Sequence, residues 1–159
     1  PTRPTRRSLF GDLLVSAPMY RDSASENRSL VITAFAGKVF ALDRTSGELR
    51  WRAETGDYGE VELAIGQGLV IACTHGKISF FSYETGELLK QVALAGSYAS
   101  RPTMLIDGEQ ILVGRNGELV SYSLRGDLMW MQPFKGEGLG SVAIGLPGNI
   151  RQADDKGSK

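Results

Sequence analysis

One hairpin occurs three times in this chain, and the repetition limits the folds the chain can take. "GKVFALDRTSGELRW" (Gly37 to Trp51) is echoed by "GKISFFSYETGELLK" (Gly76 to Lys90) and by "GELVSYSLRGDLMW" (Gly117 to Trp130). Gly37, Gly76 and Gly117 lie 39 and 41 residues apart, and Gly47, Gly86 and Gly126 lie 39 and 40 apart. Gly56, Gly96 and Gly136 are spaced by 40 both times. A fixed period of this size marks a repeat architecture, in which each unit buries its apolar faces against its neighbours.

Each unit spells four strands. "LLVSAPMYR", "VELAIG" and "RPTMLIDG" come first, followed by "LVITAF", "LVIACT" and "ILVGR". The turns Ala36-Gly37, His75-Gly76 and Asn116-Gly117 end the second strands, and two-residue hairpin turns of this kind favour positive φ. "VFALD", "ISFFSY" and "LVSYSL" alternate little between polar and apolar, as strands covered on both faces do. Turns at Thr45-Ser46-Gly47, Glu84-Thr85-Gly86 and Arg125-Gly126 lead to the fourth strands. Four antiparallel strands per unit at this period describe an all-β fold of β-propeller blades. The blades fall at about 12–55, 58–95 and 99–135, with an extra strand at 139–147, inside a partial propeller over 12–148. A small β-sandwich would accommodate the strands but gives no reason for the echo.

The hairpin "ALDRTSGELRW" resembles the tryptophan-docking repeat of the pyrroloquinoline-quinone-type β-propellers, Ala-x-Asp-x-x-Thr-Gly-x-x-x-Trp. Ala41, Asp43, Gly47 and Trp51 match, with Ser46 in place of threonine. Gly86 matches in the second unit, where Phe80, Ser82 and Lys90 replace the alanine, aspartate and tryptophan. Gly126 and Trp130 match in the third, whose turn is one residue shorter. The resemblance implies that the tryptophan packs against a neighbouring blade. It also implies either a quinone-dependent dehydrogenase or an assembly scaffold without cofactor. The enzyme branch uses about eight blades, a calcium site and commonly a disulfide of adjacent cysteines; this chain has three blades and one cysteine. A non-enzymatic module with no cofactor and no metal is therefore expected.

Composition narrows the partners. Eighteen basic residues balance 18 acidic ones, so no global field recruits nucleic acid or an anionic membrane. The arm 1–11 carries Arg3, Arg6 and Arg7 without an aromatic platform for bases, and the polar tail 149–159 reads as solvated. The start has no apolar signal-peptide core, which makes a cytoplasmic setting the expectation.

Repeat register also tests the residues that look chemical. Cys73 stands opposite Ala34 and Gly114, so that position is small and the thiol is a packing group. His75 stands opposite Ala36 and Asn116 at a turn corner, with no second histidine to complete a metal site. Asp43 faces Ser82 and Ser123, which suits a structural hydrogen bond. Tyr58 and Tyr98 sit one period apart in the connectors, and with Asp57, Glu60, His75 and Arg101 they form a candidate interaction face. Glu60, Glu62, Arg101 and Thr103 lie around the first strands, where an assembled ring would have its channel; a small-molecule or ion binder is the alternative function.

Three blades do not close a ring, and an open arc exposes apolar faces and an unpaired edge. A homo-oligomer is expected, a dimer first, in which two half-propellers meet. Its candidate seam is Lys90, a charge where sister repeats have tryptophan, and the extra strand Ser141, Val142, Ala143, Ile144, Gly145 and Leu146. The leading function is a protein-interaction or assembly scaffold that self-associates to close a ring.

Overall fold

The computed structural model describes residues 27–94 and 101–153. The basic arm, the first candidate strand of the first blade, Gly96, Tyr98 and the last six residues lie outside them.

The repeat resolves into sheets stacked in chain order. β1 (Leu30–Phe35), β2 (Lys38–Asp43) and β3 (Leu49–Glu54) form the first; β4 (Glu62–Gly66), β5 (Leu69–Cys73), β6 (Lys77–Ser82) and β7 (Leu88–Ala93) form the second. The third holds β8 (Thr103–Asp107), β9 (Gln110–Arg115), β10 (Glu118–Ser123) and β11 (Leu128–Gln132). Every pairing is antiparallel between chain neighbours, the meander of a propeller blade. The described residues are all-β with no helix, and the ring they begin is not closed. The extra strand is shorter than expected, β12 (Ile144–Leu146). It pairs with β13 (Asn149–Arg151), which occupies the start of the stretch expected to be a polar tail.

Packing follows the stacking. Val39, Ala41 and Trp51 of the first sheet meet Val70, Ala72, Phe81 and Tyr83 of the second. Ile71, Cys73, Ile78 and Phe80 of the second meet Met104, Ile111, Val113 and Tyr122 of the third. Leu105 and Leu112 of the third are covered by Ile144. The second sheet is thus sandwiched, and four of the five β5 residues are buried. β1 instead alternates half-buried and exposed positions, and among the described residues the first sheet is packed on one face. That departs from the two-sided burial its apolar runs suggest.

Turn chemistry sets the register. Ala36 and Asn116 take φ of 50° and 52°, each followed by a left-handed glycine, as two-residue hairpin turns require. His75-Gly76 departs from its sisters, since neither residue takes a positive φ. One irregularity also recurs at the same repeat position in all three blades: the outer two strands slip register after Ala41, Phe80 and Ser121. A bulge there bends the outer strand and adds twist.

Candidate functional site

The docking motif is a contact between blades. Trp51 lies on β3 directly opposite Ala41, whose small side chain leaves room for the indole. The ring covers Gly86, in the outer turn of the second sheet. A Cβ there would come 2.5 Å from Trp51 Cε3, and Gly86 holds φ 74°, so glycine serves both the space and the backbone. Trp51 Nε1–H donates to the Tyr83 carbonyl at 2.9 Å. The Tyr83 hydroxyl in turn bridges back to β1, accepting from Leu30 N–H at 2.9 Å and donating to Leu30 O at 3.1 Å. Asp43 closes its own turn: Oδ1 accepts from Thr45 and Ser46 N–H at 2.9 and 2.8 Å, and Oδ2 pairs with Arg50 at 2.9 Å. The Ser46 amide first, then Arg50, then the Thr45 amide hold the Asp43 carboxyl well below the usual carboxylate range.

Lys90 sits opposite Phe80, at the position of Trp51 in the second unit. Its stem lies over Gly126 of the third sheet, where an added Cβ would come 2.6 Å from Lys90 Cγ. The expected seam residue therefore belongs to an internal junction, filled by methylenes while the ammonium reaches water. Of the other seam residues, Val142, Ile144 and Leu146 also turn inward. Val142 packs over Gly114 and its carbonyl accepts from the Thr103 hydroxyl; Ile144 and Leu146 join Leu105, Leu112 and Leu119. Ala143 and Gly145 are exposed. The extra strand thus satisfies its apolar face within its own chain.

Connectors and turns do meet on one side of the blades. Gly37 N–H donates to Gly59 O, and Gly117 N–H to Gly140 O, both at 2.9 Å. The Asp57 carbonyl passes so close over Gly37 that no Cβ fits there. Thr55 adds to the clamp, donating both its amide (2.9 Å) and its hydroxyl (2.8 Å) to Gly37 O. Of the candidate face, Tyr58 stands 90% exposed on this pinned connector. Asp57 is engaged, accepting from the Thr74 hydroxyl and pairing with Lys77 at 3.5 Å. His75 presents its carbonyl to Arg115 Nη1 of the third sheet at 2.6 Å. Glu60 and Arg101 face each other at 3.4 Å, and Arg101 is 2.7 Å from Glu62.

The charges around the first strands therefore neutralise one another. Arg151 of β13 completes the set, 2.7 Å from Glu62. Beside them a cavity of about 830 Å³ opens along β4 and β8, lined among others by Ile65, Leu69, Tyr83, Met104, Ile150 and Arg151. Among the described residues no three of His, Cys, Asp and Glu gather where they would hold a metal ion. Cys73 is fully buried, and burial pushes its thiol up to about 12, which removes it as a nucleophile near neutrality. Tyr83, Arg115 and Arg151, the cross-blade polar contacts, escape the sequence pattern. Tyr83 alone leaves a trace, as a large aromatic where its register partners are Arg44 and Leu124.

A family profile described as outer membrane protein assembly factor BamB matches residues 11–154. Among solved structures the chain is similar to BamB from Moraxella catarrhalis, with a TM-score of 0.54 and 23% identity over 65% of this chain and 33% of that one. It is also similar to the quinohemoprotein alcohol dehydrogenase ADHIIG from Pseudomonas putida HK5, with a TM-score of 0.53 and 16% identity over 65% and 19% of the two chains. The computationally designed Ika4 protein gives 0.53 and 17%, over 71% and 69%. At these identities the likeness is one of fold, and the chain spans about a third of the BamB chain. No curated protein matches it.

Proposed function

We propose that this chain, which belongs to the family of the outer membrane protein assembly factor BamB, works as a non-enzymatic protein-interaction module in an assembly process and self-associates to close its ring. The family description supports the general reading, since its named member is an assembly factor.

One observation carries the self-association: among the described residues, the first and third sheets each keep a blade face exposed. Val31 and Phe35 are exposed on the first sheet, and all five residues of β11 are exposed on the third. Apolar faces of this kind favour burial against another blade. Both ends also carry an unmatched docking piece. Among the described residues nothing comes within 4 Å of where a Gly47 Cβ would stand, whereas Gly86 and Gly126 are each covered by the preceding blade. Trp130 is 42% exposed, against 8% for Trp51. Two copies, each bringing one three-stranded sheet, two four-stranded sheets and the started fourth, are the smallest assembly that matches these ends. The mutual pairing of Glu60, Glu62, Arg101 and Arg151 weighs against an ion-binding channel.

Light scattering on a sizing column across a tenfold dilution tests the self-association. A species of two chains that survives dilution is the expected result. A monomer at every concentration overturns it and leaves only the interaction with other proteins.

A further inference from the structure

The third hairpin turn carries a reactive dipeptide that its sisters lack. Asn116 is followed by Gly117, whereas Asn27 precedes Arg28 and Asn149 precedes Ile150. Asparagine is thermolabile, and a following glycine removes the side chain that would hinder reaction. The backbone nitrogen of Gly117 attacks Cγ of Asn116, ammonia leaves, and a five-membered succinimide remains. Water then opens that ring at either carbonyl. One product is aspartate; the other is an isoaspartate whose main chain runs through the former side-chain methylene. Beyond the chain itself, the reaction consumes only water.

The fold holds this chemistry back. Asn116 and Gly117 form the two-residue turn between Arg115 and Glu118, with φ of 52° and 73°. Ring closure requires rotation about the Asn116 Cα–C bond, out of the conformation that such a turn imposes. Gly117 N–H, which must lose its proton to attack, donates to Gly140 O at 2.9 Å. The connector also lies over the turn. A Cβ on Gly117 would come 2.5 Å from the Gly138 carbonyl oxygen and 3.3 Å from Leu139 Cα. Asn116 itself is buried. Reaction therefore needs the connector to lift. The first blade has the same clamp, Gly37 N–H on Gly59 O at 2.9 Å, but places Ala36 where the third has Asn116.

We propose that Asn116-Gly117 is a latent site of spontaneous deamidation, gated by the connector Gly138–Gly140, which turns a reversible opening of the third blade into a permanent mark. The rate of marking is the rate of the free dipeptide multiplied by the fraction of time the clamp is open. Isoaspartate lengthens the main chain of a two-residue turn, so the marked turn no longer fits beneath Gly138. Either product adds a negative charge at a buried position. The segment released leads directly to Val142 and Ile144, whose packing on Gly114, Leu105 and Leu112 fastens the fourth sheet to the third. Marking thus loosens the junction whose opening allowed it.

Peptide mapping by mass spectrometry, on the full chain held at mildly alkaline pH, reads the amide lost at Asn116. A synthetic peptide copying Val113–Val120 gives the ungated rate. The chain is expected to react at least about tenfold more slowly than the peptide, an opening cost of at least about 1.4 kcal/mol. Gly140→Val forces a β-branched residue to φ 139° without touching the dipeptide, and it is expected to close most of that gap. Gly59→Val strains the first clamp in the same way, at φ 108°, and is expected to leave Asn116 at the parent rate. A parent chain as fast as the peptide, or a Gly140→Val chain no faster than the parent, overturns the gate. Equal acceleration by both substitutions assigns the reaction to general loosening and overturns it too. Hydrogen exchange at the Gly117 amide of the parent keeps the test valid even if Gly140→Val does not fold. Its protection should match the slowing of amide loss, and a mismatch of more than about tenfold overturns a shared opening.

Discussion

The two inner junctions of this protein use one geometry and different materials. Between the first and second sheets a small residue stands beside a tryptophan, Ala41 with Trp51. Between the second and third a large residue stands beside a lysine, Phe80 with Lys90. Each outer side chain ends over a glycine of the next blade, Gly86 or Gly126. What the junctions share is the glycine floor and a pair of side chains that together fill the gap, not the indole itself. The first junction adds polar anchors in the Trp51–Tyr83–Leu30 chain of hydrogen bonds, while the second draws on Arg115 and the His75 carbonyl. Packing density tolerates such redistribution as long as the volume is kept.

The sharpest way to break the comparison is to empty both junctions. Trp51→Ala removes a buried indole and leaves the Tyr83 carbonyl without its donor, so a loss of about 3–5 kcal/mol is expected. Lys90→Ala removes only a stem whose head is already in water, and less than about 1 kcal/mol is expected. Urea unfolding of the two variants beside the parent decides it. Similar costs would mean that the indole has no special part in holding the blades together.

A smaller effect probes the floor. Gly86→Ala imposes a left-handed alanine and drives its Cβ into the rigid indole, for about 2–4 kcal/mol in all. Gly126→Ala meets the same backbone penalty, with φ 85°, but its Cβ faces a flexible lysine that swings aside, so about 1–2 kcal/mol is expected. Gly126→Ala costing as much as Gly86→Ala would show that the second junction is as rigid as the first.

The residues explain how far the sequence could be followed. Hairpins, turn glycines and the small site at Cys73 are local or periodic features, and a fixed period exposes them. The resemblance also points to Trp51 as a contact with the next blade. Lys90 reads as a seam residue because a charged head hides four methylenes, and only the stacked structure shows that stem lying on Gly126. Tyr83, Arg115 and Arg151 reach partners 53, 40 and 89 residues away, separations that carry no local signal. Asp57, Glu60, His75 and Arg101 read as one recognition face because they crowd the connectors. The structure spends them largely on bonds between strands and sheets and leaves Tyr58 outward. Short β13 offers three residues of ambiguous pattern, too few for periodicity to lift above a polar tail.

The faintest contrast lies in the outer turns, where the first blade has Asp43 and its sisters have Ser82 and Ser123. Ser46, Arg50 and Thr45 stabilise the ionised Asp43 carboxylate in the folded chain, so its folded value lies below its ordinary one. A group of that sign contributes stability fully present above the ordinary carboxylate range, near pH 4, and lost as pH falls toward the folded value. The serines do not titrate, so acid should loosen the first outer turn before the other two. Asp43→Asn keeps an oxygen that accepts from Thr45 and Ser46 but surrenders the charge facing Arg50. Its stability should therefore fall less steeply than the parent's between pH 5 and 2, by a margin suited to an exposed pair. Amide exchange at Thr45, Ser46 and Gly47 followed through the same range locates the effect. Equal acid sensitivity in parent and variant, or equal loosening of all three turns, would show that the carboxylate contributes nothing a serine does not.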